Sequence, residues 1–280
     1  MRGKTVVITG GTSGIGKVAA VALAKMGARI VLVARDKSRG DATLARLRDI
    51  TPGIAHSLYF ADLLRLAEMK RVAAEIADRE PRIDVLINNA GALFARRRLT
   101  EDGLERTFAL NHVAYFVMTA GLRERLLASG PARIINTASA AHQGATLDFD
   151  DLQSAKNFGG RKAYGQSKLC NILFTRELAR RLQGTGVIAN CLHPGFVATR
   201  FGDQSGGLIS HLVWFAKFFA IPPAEGAQTI VYLASSPNVA EATGQYFYKS
   251  EPIRSSSWAR DDRSALLLWQ HSAALAGIKE

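Results

Sequence analysis

The feature that most constrains this chain is a glycine-rich turn set between an apolar run and a helical period. It opens a rhythm that then repeats. Thr5 to Thr9 (TVVIT) is short, apolar and β-branched, and Gly10 to Gly16 follows it directly. Val18 to Met26 then has helical periodicity and ends at Gly27, a natural helix C-cap. Arg29 to Val33, Ala55 to Phe60 and Asp84 to Ile87 read as the next strands, with a helix over about Leu66 to Arg79 before the last of them. Arg133 to Asn136 and Val187 to Leu192 continue the series. Near-continuous apolar strands separated by helices require a parallel sheet covered on both faces. Right-handed crossovers make this a doubly wound α/β sheet, a Rossmann fold with helices on both faces. The 280 residues suit one domain over residues 1–280, since no Pro/Ser-rich linker divides them.

Composition removes several other classes. With 48% hydrophobic and 21% charged residues the chain can bury a large core, which excludes disorder, collagen-like repeats and coiled coil. Cys170 and Cys191 cannot build a disulfide framework, and the six histidines show no zinc-ligand spacing with them. A reducing, cytoplasmic setting and no metal are the simplest expectation. The net charge of +12 attracts polyanions in general. The charges are dispersed, however, and the cluster Arg96-Arg97-Arg98 lacks the aromatic residues that base-stacking modules need. A solvated basic surface is expected, without nucleic-acid binding. The apolar stretch Leu208 to Ile221 is shorter than the roughly 20 residues that cross a bilayer, and His211 and Lys217 interrupt it. A soluble chain without a membrane span is therefore expected.

The first turn suits a dinucleotide. Gly10, Gly14 and Gly16 let the backbone turn tightly and approach a pyrophosphate, and the helix entered through Thr12, Ser13 and Ile15 offers its N-terminal N–H groups to that anion. The second strand ends Ala34-Arg35-Asp36. Ala34 cannot hold a ribose 2′-OH as a carboxylate would, whereas the Arg35 fork can pair with a 2′-phosphate. Arg39 adds a second positive contact or is ordinary surface, and Asp36 reads as the N-cap of the next helix. NADP(H) is favoured, with NAD(H) the alternative. Asp62 and Leu63 follow the third strand, where Asp62 can accept from an adenine amino group. Asn88-Asn89-Ala90-Gly91 forms a compact turn with room for a ribose.

Tyr164 and Lys168 stand four apart in a helix-like run, which puts them on one face. An ammonium beside a phenol favours the phenolate and is expected to lower the tyrosine from about 10 towards neutrality. Such a tyrosine can act as general acid or base on an alcohol or carbonyl.

With TGGTSGIG (Thr9–Gly16), NNAG (Asn88–Gly91), Asn111, Ser139, YGQSK (Tyr164–Lys168) and HPG (His193–Gly195) in this order, the chain resembles the short-chain dehydrogenase/reductase family over nearly its whole length. The resemblance implies a single-domain NAD(P)-dependent oxidoreductase acting on CH–OH groups. In it Tyr164 exchanges the proton, Ser139 hydrogen-bonds the substrate oxygen, Lys168 binds the nicotinamide ribose and Asn111 holds a water in a proton relay. Asn89, Ala90 and Gly91 line the cofactor, and Pro194, Gly195, Val197 and Thr199 lie along the nicotinamide side. A closer resemblance, to the retinol-dehydrogenase-like branch, rests on Ala34-Arg35-Asp36, DFDDL (Asp148–Leu152), Ser167–Leu182, His193–Gly202, TGQYF (Thr243–Phe247) and Leu266–Gly277. It implies an apolar alcohol or carbonyl substrate. It also implies a homodimer or homotetramer paired through helices over Val113–Leu127 and Tyr164–Leu182.

The stretch 195–223 departs from the βα rhythm. Its stripe of Leu208, Leu212, Phe215 and Phe219 reads as core, as an apolar patch for a membrane or partner, or, the favoured reading, as a substrate lid. The loop from His142 to Lys162 is expected to form the opposite wall. A non-catalytic nucleotide-sensing protein is the competing function, against which the intact Ser139, Tyr164 and Lys168 speak.

Overall fold

Along β1 (Thr5–Thr9) successive side chains enter opposite cores, as the strand period of two demands. Val6 and Ile8 meet Ile30, Leu32, Val85 and Ile87 on one face of the sheet. Val7 meets Val31, Val33 and Leu86 on the other. A strand buried on both sides has no polar face to show, which is why its sequence is a run and not an alternation. The computed structural model describes residues 1–195 and 222–279. Val197, Thr199 and nearly all of the 195–223 stretch, including the apolar stripe, lie outside the described residues.

The chain continues through α1 (Gly14–Lys25), β2 (Arg29–Ala34), α2 (Lys37–Ile50), β3 (Ser57–Phe60), α3 (Leu66–Arg79) and β4 (Val85–Asn88). A short π-helical turn, Ala109–Val113, leads into α4 (Ala114–Ala128), followed by β5 (Ala132–Thr137), α5 (Gly160–Arg181) and β6 (Val187–Leu192). After the undescribed segment come α6 (Pro223–Ser235), β7 (Tyr246–Tyr248), β8 (Glu251–Pro252) and α7 (Asp262–Ala276). Among the described residues the sheet has eight strands in the order β3-β2-β1-β4-β5-β6-β7-β8. All pairs are parallel except β7 with β8. The order reverses between β1 and β4, and ligands of such sheets bind outside the strand ends at that point.

The expected strands are all present, with two instructive shifts. β3 starts at Ser57 and not at Ala55, because the His56 ring takes over from the ladder: its Nδ1 accepts the Ile30 N–H at 3.0 Å. Helix α1 starts at Gly14, four residues before its apolar period, because the last glycines of the turn are already its first turn. Strands β7 and β8 have no long apolar run and were not expected from the pattern.

Helix α7 lies across α5 and α4. Trp269 stacks on Phe174 at 5.8 Å, meets Phe116 edge-on at 5.0 Å and carries the Arg181 guanidinium over its ring at 4.3 Å. Arg176 pairs with Asp262 at 2.8 Å, and Ser272 meets the buried His112 ring at 2.7 Å. The His142–Lys162 loop, expected as a substrate wall, packs Leu147, Phe149 and Leu152 against the core. Removing Trp269 empties a site shared by three helices. Trp269→Ala is expected to lower unfolding free energy by about 3 kcal/mol, read from urea unfolding of the full chain.

Candidate active site

The glycine turn after β1 is built against the end of β4. Gly10 has φ +68° and Gly14 has φ +52°, in the left-handed region that a side chain rarely adopts. A Cβ at Gly10 would come 2.9 Å from the Ala90 backbone, and one at Gly16 would collide with the Asn89 amide and the Gly10 carbonyl. Asn89 is a strut: its Nδ2 donates to the carbonyls of Thr9 (3.2 Å) and Gly10 (3.3 Å). The Thr9 hydroxyl accepts the N–H groups of Asn89 and Ala90 at 3.0 and 3.1 Å. The Ser13 side chain makes no capping bond, so it leaves the first N–H groups of α1 to another acceptor. A bare cradle with a helix start at its rim fits a pyrophosphate.

Around this cradle the ends of β2 and β3 sort the expected contacts. Ala34 is 4% exposed and ends β2 without a carboxylate. Asp36 caps α2 by accepting the Arg39 N–H at 2.8 Å, as expected from the sequence. The Arg39 guanidinium pairs with the same carboxylate at 3.3 Å on the surface, so its capacity for a second anion is partly taken. Arg35 is exposed, and the Asp36 beside it is its one carboxylate neighbour in sequence. Asp62 accepts the Leu64 N–H at 3.1 Å, and the Leu63 side chain is buried in the core, so only the Leu63 backbone can face a ligand.

At the ends of β5 and α5 the catalytic candidates converge. Ser139 starts the short helix Ala140–Gly144, accepts the Ala141 N–H at 3.2 Å and hydrogen-bonds the Tyr164 side chain. Lys168 is 2% exposed; its Nζ donates to the Thr137 carbonyl at 2.9 Å and lies 5.6 Å from the centre of the Tyr164 ring. Asn111, in the π-helical turn, clamps the Ala92 loop to α5. Its Oδ1 accepts the Ala92 N–H at 2.9 Å, while its Nδ2 donates to the Ala92 carbonyl at 2.9 Å and to Ser167 Oγ at 3.0 Å. Both amide protons are thus engaged within the protein, so toward a water the side chain acts as an acceptor.

The protonation expected for Tyr164 is corrected by its surroundings. Burial pushes the phenol up to about 12, and the Ser139 hydrogen bond only partly opposes it. The ammonium lies over the ring and donates to the Thr137 carbonyl, and burial pulls Lys168 itself down to about 7. Removal from water outweighs a charge held at this distance. The phenol in this state is loaded with its proton and can give it to an oxygen.

Two supports of the site carry no sequence signal of their own. His142 Nε2 accepts the Ser256 N–H at 3.2 Å, which puts the ring proton on Nδ1, donated to the Ser139 carbonyl at 2.7 Å. The Thr137 carbonyl, the anchor of Lys168, also accepts from Asn171 Nδ2 at 3.2 Å. Pro194 and Gly195 follow β6 on the same rim, where the Gly195 N–H donates to His193 Nδ1 at 3.2 Å and Gly195 has φ +84°.

The family model described as short chain dehydrogenase matches residues 4–206. The chain belongs to the short-chain dehydrogenase family. It is 39% identical to retinol dehydrogenase 13 of Homo sapiens over 283 residues, covering 99% of this chain and 86% of the relative. It is also 39% identical to retinol dehydrogenase 14 of Mus musculus, covering 99% and 87%. These matches put the short-chain dehydrogenase in the retinol-dehydrogenase-like branch, as an NAD(P)-dependent oxidoreductase acting on CH–OH groups. Among solved structures, a protein from Mycobacterium paratuberculosis superposes with a TM-score of 0.79 at 30% identity, covering 99% of this chain and 95% of that one. A short-chain dehydrogenase from Sphingobium yanoikuyae in complex with NADPH does so with a TM-score of 0.66 at 30% identity, covering 81% and 82%.

The crowding at Gly16 generates a test of the cradle. Gly16→Ala is expected to push Asn89 off the Thr9 and Gly10 carbonyls and destabilise the fold by about 1–3 kcal/mol, with weakened nucleotide binding. Urea unfolding and nucleotide titration of the same sample check both.

Proposed function

We propose that this short-chain dehydrogenase interconverts an apolar alcohol and its aldehyde or ketone with NADP(H), Tyr164 serving as general acid and base. The observation that carries the reading is the convergence of the Ser139 hydroxyl, the Tyr164 phenol and the Lys168 ammonium at the ends of β5 and α5. The cradle of Gly10, Gly14 and Gly16 would hold the pyrophosphate, and Lys168, Asn89, Ala90, Gly91, Pro194 and Gly195 would border the nicotinamide half. When bound, the nicotinamide supplies or accepts the hydride. The chain's own residues do the rest. In reduction, Ser139 donates a hydrogen bond to the substrate oxygen, and Tyr164 gives it the proton that burial keeps on the phenol. In oxidation Tyr164 takes that proton back. Asn111 supports the proton path by fixing Ser167 and the Ala92 loop and by offering an acceptor to a water.

Arg35, next to an Ala34 that cannot receive a ribose hydroxyl, supports the preference for the phosphorylated cofactor. The NADPH complex of the Sphingobium relative supports the same reading, and the retinol dehydrogenase relatives support an apolar substrate. Among the described residues no helix is long and apolar enough to cross a membrane. For self-association, α7 already covers part of α4 and α5, so pairing through those helices would use only the surface that α7 leaves open.

The reading is tested by following NADPH oxidation and NADP reduction across apolar aldehydes, ketones and secondary alcohols, retinal and retinol included. Tyr164→Phe is expected to lose about 10²–10⁴-fold in turnover with NADPH binding nearly unchanged; full turnover in that variant contradicts the assignment. Arg35→Ala is expected to weaken NADPH about 10–100-fold and NADH little, and equal losses for the two contradict the NADP preference.

A further inference from the structure

Tyr115 lies one helical turn beyond Asn111, at the start of α4, and is 1% exposed. Its ring and that of Tyr164 flank one cation: Lys168 Nζ lies over the Tyr115 ring 5.7 Å from its centre and over the Tyr164 ring at 5.6 Å. Among the described residues the Tyr115 hydroxyl is buried without a hydrogen-bond partner. A hydroxyl in that state costs free energy, so it is the ring that fits this position.

We propose that Tyr115 is a positioning residue whose ring face holds the Lys168 ammonium in place beside Tyr164. The groups around the ammonium leave it little else. From β5 it meets the neutral Thr137 carbonyl and from its own helix the Tyr164 ring, while a Cβ added at Gly91, in the turn after β4, would stand 3.5 Å from Nζ and 3.1 Å from the neutral Asn111 Oδ1. Among the described residues no acidic side chain contributes to its titration, which burial pulls down to about 7. A buried cation that meets one carbonyl and no counter-ion among the described residues is sensitive to aromatic faces, whose quadrupoles attract it most when it is desolvated. The catalytic meaning of this cradle rests on the role proposed above for Lys168, whereas the cradle itself does not.

The test is therefore a titration and not an assay of turnover. In the full chain labelled with 13C-lysine, the Lys168 Cε signal is assigned by its loss in Lys168→Met and followed with pH by NMR. In Tyr115→Met the midpoint is expected to fall by about 1 pH unit. In Tyr115→Phe, which keeps the ring, it is expected to stay at the wild-type value, with a thermal midpoint no lower than wild type. A Met midpoint that is unmoved or raised overturns the proposal, as does a Phe shift as large as the Met shift, which would assign the effect to the hydroxyl. Should Tyr115→Met not fold, ring-fluorinated phenylalanines at position 115 weaken the quadrupole without opening a cavity. The midpoint is then expected to fall with each added fluorine, and a constant midpoint overturns the proposal. An inactive protein still answers this experiment, so its outcome is separate from that of the turnover assays.

Discussion

A lysine ammonium withdrawn from water must be held by whatever surrounds it, and here the carbonyl that ends β5 does much of that work. Thr137 is the last residue of the strand and accepts from both Lys168 and Asn171 of α5. The carbonyl can serve because the strand end is itself fixed. Asn88 at the end of β4 donates to Asn136 at 2.9 Å and to Thr119 at 3.0 Å, and Asn136 donates to Thr175 at 2.9 Å. These buried amides tie β4, β5, α4 and α5 together just below the site. The amide donors of Asn88 and Asn136 are engaged in these bonds, although Asn88 Oδ1 and Asn171 Oδ1 are buried without a hydrogen bond among the described residues. The bonds that are made hold the strands and helices in register. The geometry of the candidate site is thus set by the carboxyl edge of the sheet.

The same edge explains why the site is divided as it is. The nucleotide cradle hangs on β1 and β4, where the strand order reverses, and Asn89 locks the glycine turn to the neighbouring strand end. The groups proposed to handle the proton hang on β5 and α5, on the far side of β4. The two halves meet across one strand, at the point where ligands of such sheets bind.

Much of this was legible before any coordinates. The β1 and β6 boundaries follow from their apolar runs, the α3 boundaries from its period, and the Asp36 cap from a carboxylate placed just before a helix. Spacing puts Tyr164 and Lys168 on one helical face, and the resemblance to the family adds Ser139 to them. Other features depend on distance in space. The three residues of β7 carry no pattern of their own and exist as a strand because β6 offers an open edge. Spacing reports that a lysine is near Tyr164 but not that both groups are withdrawn from water, and it is the burial that pushes the phenol up. Tyr115 carried a readable signal, since it stands four residues after Asn111 and so on the same helical face, but only packing reveals what that face meets.

The His142 ring joins the Ser139 carbonyl to the Ser256 amide, far along the chain, just before α7. The C-terminal part of the polypeptide is therefore tied to the backbone that carries Ser139 and is no appendage to it. Evolution or engineering that reshapes this end of the polypeptide has a route to that backbone through an imidazole, without altering Ser139 itself.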